Sequence, residues 1–89
     1  MNYFVYLIKT RQGYYKKSYV GYTNNIKQRL IAHNKSMGAK STKGYKWILV
    51  FKKKFSSRSK AMSYEYYLKK NHYLRKKILQ KKNKFIFLK

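Results

Sequence analysis

A single acidic side chain, Glu65, stands against 24 lysines and arginines in a chain of 89 residues. A hard anionic oxygen is what a divalent cation takes as a ligand, and it is also what a partly buried cation takes as a counter-ion. Arg29 and His33 are four residues apart, a spacing that sets two side chains on one flank of a helix. A guanidinium in that position meets a carboxylate or a phosphate through two parallel hydrogen bonds. Tyr6 and Tyr19 lie in β-rich runs, and a phenol beside positive charge can act as a base. Together these groups could bind a metal or a phosphate and move a proton. Each also has a plainer explanation: core tyrosines, a hydrogen-bonded structural histidine, and an Arg29–Glu65 ion pair.

The elements that must position them can be read from the same residues. Tyr3 to Ile8 is a continuous apolar run and predicts a buried strand. Thr10 to Gly13 is a turn, and Tyr14 to Tyr22 returns as the second strand of a hairpin. Phe4, Tyr6 and Ile8 share one face of the first strand; Tyr19 and Gly21 share one face of the second, with Gly21 leaving space beside Tyr19. Thr23, Asn24 and Asn25 offer caps for a helix over Ile26 to Asn34. Residues 35–46 read as a loop, Trp47 to Phe51 as a third strand. Ser56 and Ser57 can cap a helix over Arg58 to Lys70, and a third helix is expected from about Tyr73 to Lys82.

Helical phase gives directions. With successive residues about 100° apart, Tyr64, Glu65 and Leu68 fall at roughly 300°, 40° and 340° from Ala61. Glu65 therefore shares the inward stripe, while Lys60, Lys69 and Lys70 lie outside it. Arg29 and His33 fall at roughly 300° and 340° from Ile26, beside Leu30. An inward carboxylate has to be paired, hydrogen-bonded or bound to metal to offset its desolvation.

Composition narrows the setting. A formal charge of +23 with 19% aromatic residues points to a polyanionic partner, and 11 tyrosines favour nucleic acid, on whose bases rings can stack. An apolar share of 44% is too high for a disordered basic tail. No apolar stretch is long enough to span a membrane, the first residues lack the features of a signal peptide, and an intracellular place is expected. Without cysteine there is neither a disulfide framework nor a cysteine–zinc site. The tail Phe85 to Leu88 is apolar enough to pack as a last strand or to act as a sticky end. The order ββαβαα predicts a small α/β (α+β) domain with a mostly antiparallel three-stranded sheet flanked by helices.

The pieces, in this order, resemble the GIY-YIG nuclease domain from about Tyr3 to about Lys70. Phe4-Val5-Tyr6 stands at the first half-motif and Tyr19-Val20-Gly21 at the second. Arg29, within NNIKQRLIAHN, matches the catalytic arginine, His33 the histidine-or-tyrosine position, and Glu65 the metal-binding glutamate. The run YVGYT, the His33-Asn34 pair, and Gly38-Ala39-Lys40 with Thr42 and Trp47 look most like the small stand-alone members and the Slx-type structure-specific endonucleases. The chain departs in carrying Phe4 where the motif has glycine, and in lacking the Slx-type cysteine-rich zinc domain that docks a scaffold protein. The resemblance implies one domain over 1–89, its core at about 3–70 and a basic helix and apolar tail over 71–89. It also implies a one-metal DNA endonuclease, acting on branched or duplex DNA in repair or recombination. In that scheme Glu65 holds Mg²⁺ or Mn²⁺, Tyr19 is the general base, Tyr6 positions water or phosphate, Arg29 stabilises the phosphorane, and His33 assists by hydrogen bonding or proton relay. The alternative is a non-catalytic nucleic-acid-binding module of the same fold, with Glu65 as an internal counter-ion.

Overall fold

The computed structural model describes residues 2–11, 13 and 16–80. Among them, three strands and three α-helices follow in the order β1 (Tyr3–Thr10), β2 (Ser18–Thr23), α1 (Ile26–Asn34), β3 (Trp47–Phe55), α2 (Arg58–Lys70) and α3 (His72–Leu79), with a 3₁₀ turn at Lys40–Thr42 before β3. The sheet order is β2-β1-β3, and both pairings are antiparallel. This is the α+β arrangement expected from the sequence.

The apolar run places β1 in the middle. Val5, Leu7 and Ile8 are almost wholly buried, because both faces of this strand are covered. Each helix begins where a side chain satisfies an otherwise unpaired N–H. Asn25 Oδ1 accepts from Gln28 N at 3.1 Å, Ser57 Oγ from Lys60 N at 3.2 Å, and Asn71 Oδ1 from Leu74 N at 3.0 Å.

The two faces carry separate clusters. On one, Val5, Leu7, Val20 and Val50 pack with Ala61 and Leu68 of α2, joined by Leu74, Ile78 and Leu79 of α3. On the other, Tyr6, Ile8, Leu49 and Trp47 pack with Leu30 of α1, joined by Tyr19, Ile26 and Tyr45. A register shift allows β3 to serve both. Leu7 pairs with Phe51 but Ile8 with Leu49, so Val50 is an extra residue and turns with Phe51 toward the α2 side.

The boundaries differ from expectation in several places, and β1 continues past Ile8 to Thr10, which pairs with Trp47 where a turn was expected. β3 runs through Lys52–Lys54 to Phe55 instead of ending at Phe51, because Tyr3, Phe4, Val5 and Tyr6 need partners and find Phe55, Lys54, Lys53 and Lys52. Lys53 Nζ lies over the Tyr64 ring, 5.3 Å from its centroid, so the lysine run is partly packed as well as solvated. Residues 35–46 contain the 3₁₀ turn and the fully buried Thr42. β2 begins at Ser18; Tyr14, Tyr15 and the tail Phe85–Leu88 lie outside the described residues, as does the expected end of the third helix at Lys82.

Candidate active site

The face of the sheet beneath α1 carries the polar cluster. Tyr6 of β1 is opposite Gly21 of β2, and Tyr19 is opposite Ile8, so Tyr6, Gly21 and Tyr19 project to one side. A Cβ on Gly21 would lie 2.5 Å from the Tyr6 hydroxyl oxygen, 2.7 Å from its Cζ and 3.0 Å from Tyr19 Cε2. The space expected beside Tyr19 is thus occupied by the phenol of Tyr6, and only glycine leaves room for it.

His33 closes the cluster from α1. Its ring is fully buried, with centroid distances of 5.1 Å to Tyr19 and 5.8 Å to Tyr6. Tyr6 OH lies 2.8 Å from Nε2, and Nδ1 lies 2.9 Å from Thr42 Oγ1. Thr42 donates its one hydroxyl proton to Ala39 O at 2.8 Å. Its oxygen can then only accept from His33 Nδ1–H, which leaves Nε2 to accept from the Tyr6 hydroxyl. The hydrogen bonds therefore run in one direction, from Tyr6 to His33 to Thr42 to a loop carbonyl.

Charge follows from burial. Desolvation, with Arg29 adding to it, pushes His33 down to about 4, so the imidazole is neutral at pH 7. Desolvation raises Tyr6 to about 12; its hydrogen bond with Arg29 works against the rise, and Tyr19 and Glu65 add to it through their charge. Arg29, half-buried on α1, is raised mainly by hydrogen bonding to Tyr6, with Tyr19 contributing less. One guanidinium therefore acts electrostatically on both phenols.

Glu65 enters from α2, in the layer packed on the opposite face. Its side chain is 18% exposed, and its ion pair is with Lys69 at 3.6 Å, one turn along the same helix. Among the described residues that is the ion pair it makes, and the Arg29–Glu65 pair weighed from the sequence is not formed. Helical phase correctly sets Glu65 inward of Lys60, Lys69 and Lys70, all of which are exposed.

A profile of the GIY-YIG catalytic domain matches residues 2–83. The chain belongs to the GIY-YIG family. Curated relatives are small proteins of the UPF0213 group. The UPF0213 protein YazA of Bacillus subtilis is 40% identical over 70 residues, covering 78% of this chain and 68% of its own. A UPF0213 protein of Clostridium perfringens is 42% identical over 71 residues, covering 79% and 72%. The solution structure of a UPF0213 protein from Bacillus halodurans is similar at 31% identity and a TM-score of 0.49, over 94% of this chain and 87% of that one.

In GIY-YIG terms, the structure brings Tyr6, Tyr19, Arg29 and His33 into one cluster, with Glu65 near enough for its charge to reach Tyr6. Sequence reasoning assigns no site role to Gly38 and Thr42. A Cβ on Gly38 would lie 2.9 Å from His33 Cε1, so the loop backbone presses directly on the imidazole. The signal was the position of Gly38 and Thr42 in a basic loop that follows a helix with His33 in its last turn. No helix among the described residues is long and apolar enough to cross a membrane.

Proposed function

We propose that this chain is a DNA endonuclease that hydrolyses phosphodiester bonds with one divalent ion, Mg²⁺ or Mn²⁺. The observation that carries the proposal is the cluster of Tyr6, Tyr19 and buried His33, with Tyr6 OH 2.8 Å from His33 Nε2 and the Tyr19 ring 5.1 Å from the imidazole, and Arg29 within electrostatic reach of both phenols.

The donor set fits a metal of this class. Mg²⁺ is commonly held by one or two carboxylates, with waters and substrate phosphate oxygens completing its shell. Glu65 supplies one carboxylate, and its bond to an exposed lysine is a weak competitor, worth about 0–1 kcal/mol. Among the described residues there is no group of three histidines or acids that could hold an ion without substrate. When bound, the ion would supply positive charge to the departing 3′ oxygen.

The chain's own residues divide the remaining work. Burial holds Tyr6 up at about 12 and His33 down at about 4, so passing a proton from the phenol to the imidazole is uphill. His33 therefore serves as a fixed acceptor that orients a neutral Tyr6, and not as a proton relay. Tyr6 in turn orients the attacking water or the phosphate. Tyr19 is half-buried beside Tyr6 and His33 and is the general base in this reading. It takes the proton from water as the new O–P bond forms and the P–O3′ bond breaks, and the departing 3′ oxygen takes a proton from solvent, giving 5′-phosphate and 3′-hydroxyl ends. Arg29 meets the charge that builds on the phosphorane oxygens.

The substrate in this reading is branched or otherwise structured DNA, encountered inside the cell in repair or recombination. The test is a panel of plain, nicked, flapped and four-way labelled DNAs with Mg²⁺ and with Mn²⁺. Glu65→Gln and Arg29→Ala should each lower cleavage by about 100-fold or more while DNA affinity changes little. Full activity in either variant, or in EDTA, overturns the mechanism. No cleavage of any substrate with either ion leaves the non-catalytic binding module.

A further inference from the structure

The tyrosines of α2 and α3 form a feature that the cluster around Tyr6 does not use. Tyr66, Tyr67, Lys70, Asn71, His72 and Tyr73 line an open cleft of about 580 Å³ where the two helices meet. Tyr66 is 65% exposed and Tyr73 72%, so neither ring is held by the core. Each has a lysine one turn along its helix, Lys70 Nζ over Tyr66 and Lys77 Nζ over Tyr73, both 5.4 Å from the ring centroid. Each exposed ring is thus paired with a lysine of its own helix, Lys70 lining the cleft and Lys77 lying beyond its lining.

Its floor is fixed in advance. Asn71 caps α3 through Leu74 N and donates to Tyr67 OH at 3.2 Å. Arg75 donates to Leu68 O at 2.8 Å and also reaches Lys69 O and His72 Nδ1. The junction of the two helices is therefore braced, which sets the backbone positions from which Tyr66 and Tyr73 project. The chain's one acidic side chain, Glu65, is not among the residues that line the cleft, so no acidic side chain there opposes an anion.

We propose that this cleft binds unpaired nucleotides, with bases stacked on Tyr66 and Tyr73 and phosphates met by Lys70 and Lys77. A flat π surface joined to an anion is what each ring and lysine complement, and an unpaired nucleotide has both. A duplex hides the faces of its bases and could use only the lysines. The site is separate from the proposed catalytic groups, so it stands whether or not the chain cleaves.

The experiment is fluorescence anisotropy in EDTA, which prevents cutting, with a labelled oligothymidylate of about ten nucleotides and a duplex of the same length. Tyr66→Ala with Tyr73→Ala should weaken oligothymidylate binding about tenfold or more, with duplex affinity changed less than about twofold. Tyr66→Phe with Tyr73→Phe should bind the oligothymidylate as the parent does, since the ring is what stacks. Lys70→Gln with Lys77→Gln should weaken both ligands and lower the single-strand salt slope by about 1.4. Both rings are exposed, so the melting temperature should not move. The proposal is overturned if the parent does not bind oligothymidylate, if the alanine pair loses both ligands equally, or if it loses neither. Loss of binding to phosphatidylserine vesicles with oligothymidylate binding retained would instead assign the cleft to an anionic membrane surface and overturn it. A Glu65→Gln protein that binds oligothymidylate normally keeps this outcome distinct from that of the cleavage test.

Discussion

Gly21 is a place from which neighbouring side chains sharply exclude a Cβ. The Tyr6 hydroxyl beside it cannot swing away freely, because it is buried and bonded to His33 Nε2 at 2.8 Å. Gly21→Ala should cost about 1–3 kcal/mol in a denaturant melt, as overpacked cores do. It should also depress cleavage by more than its stability loss explains, since the displaced ring is Tyr6 itself. Cleavage measured well below the melting temperature would separate the two effects; parental activity in a folded variant would show that Tyr6 need not stay where it is. The glycine's place beside Tyr19 was legible from strand alternation. Its real neighbour, Tyr6, was not, because that contact depends on the pairing of β1 with β2 in one particular register.

At the scale of elements, the loop between α1 and β3 is what the sequence concealed. Lysine, serine and glycine at 35–46 give no periodic signal, yet Thr42 is fully buried and bonded to His33. The loop is tied down elsewhere: Asn34 Oδ1 accepts from Trp47 N, and Trp47 Nε1 donates to Thr42 O at 3.1 Å. Thr42→Val keeps the shape and removes the acceptor, leaving a buried imidazole N–H unpaired. We expect a loss of about 1–3 kcal/mol in melts, with Thr42→Ser close to the parent; equal stability for valine and serine would remove the hydrogen bond from the account. By contrast, β1, α1 and α2 were legible, since their apolar stripes and caps agree with the tertiary packing. The extension of β3 was hidden because three lysines read as solvent, whereas strand pairing to β1 extends it as far as Phe55.

For the molecule as a whole, the shortage of acids changes what pH can do. Acid unfolding usually reflects many carboxylates, but here there is one, with two histidines. His33 is held at about 4 in the fold against an ordinary 6.5, so the folded state binds its proton less well than the unfolded chain. Its contribution is complete above about pH 6.5 and is lost as pH falls toward 4, a change on the order of 3 kcal/mol. Denaturant melts between pH 7 and 4 should show that decline, and His33→Gln should flatten it; a variant with the same slope would place the titration elsewhere. The single Trp47 lies at the other end of the same loop. It is 2% exposed, bonded to Thr42 and edged by Tyr45 at 6.0 Å. Its intrinsic emission is therefore a spectroscopic report on the loop that holds the imidazole, separable from signals arising in the α2–α3 layer.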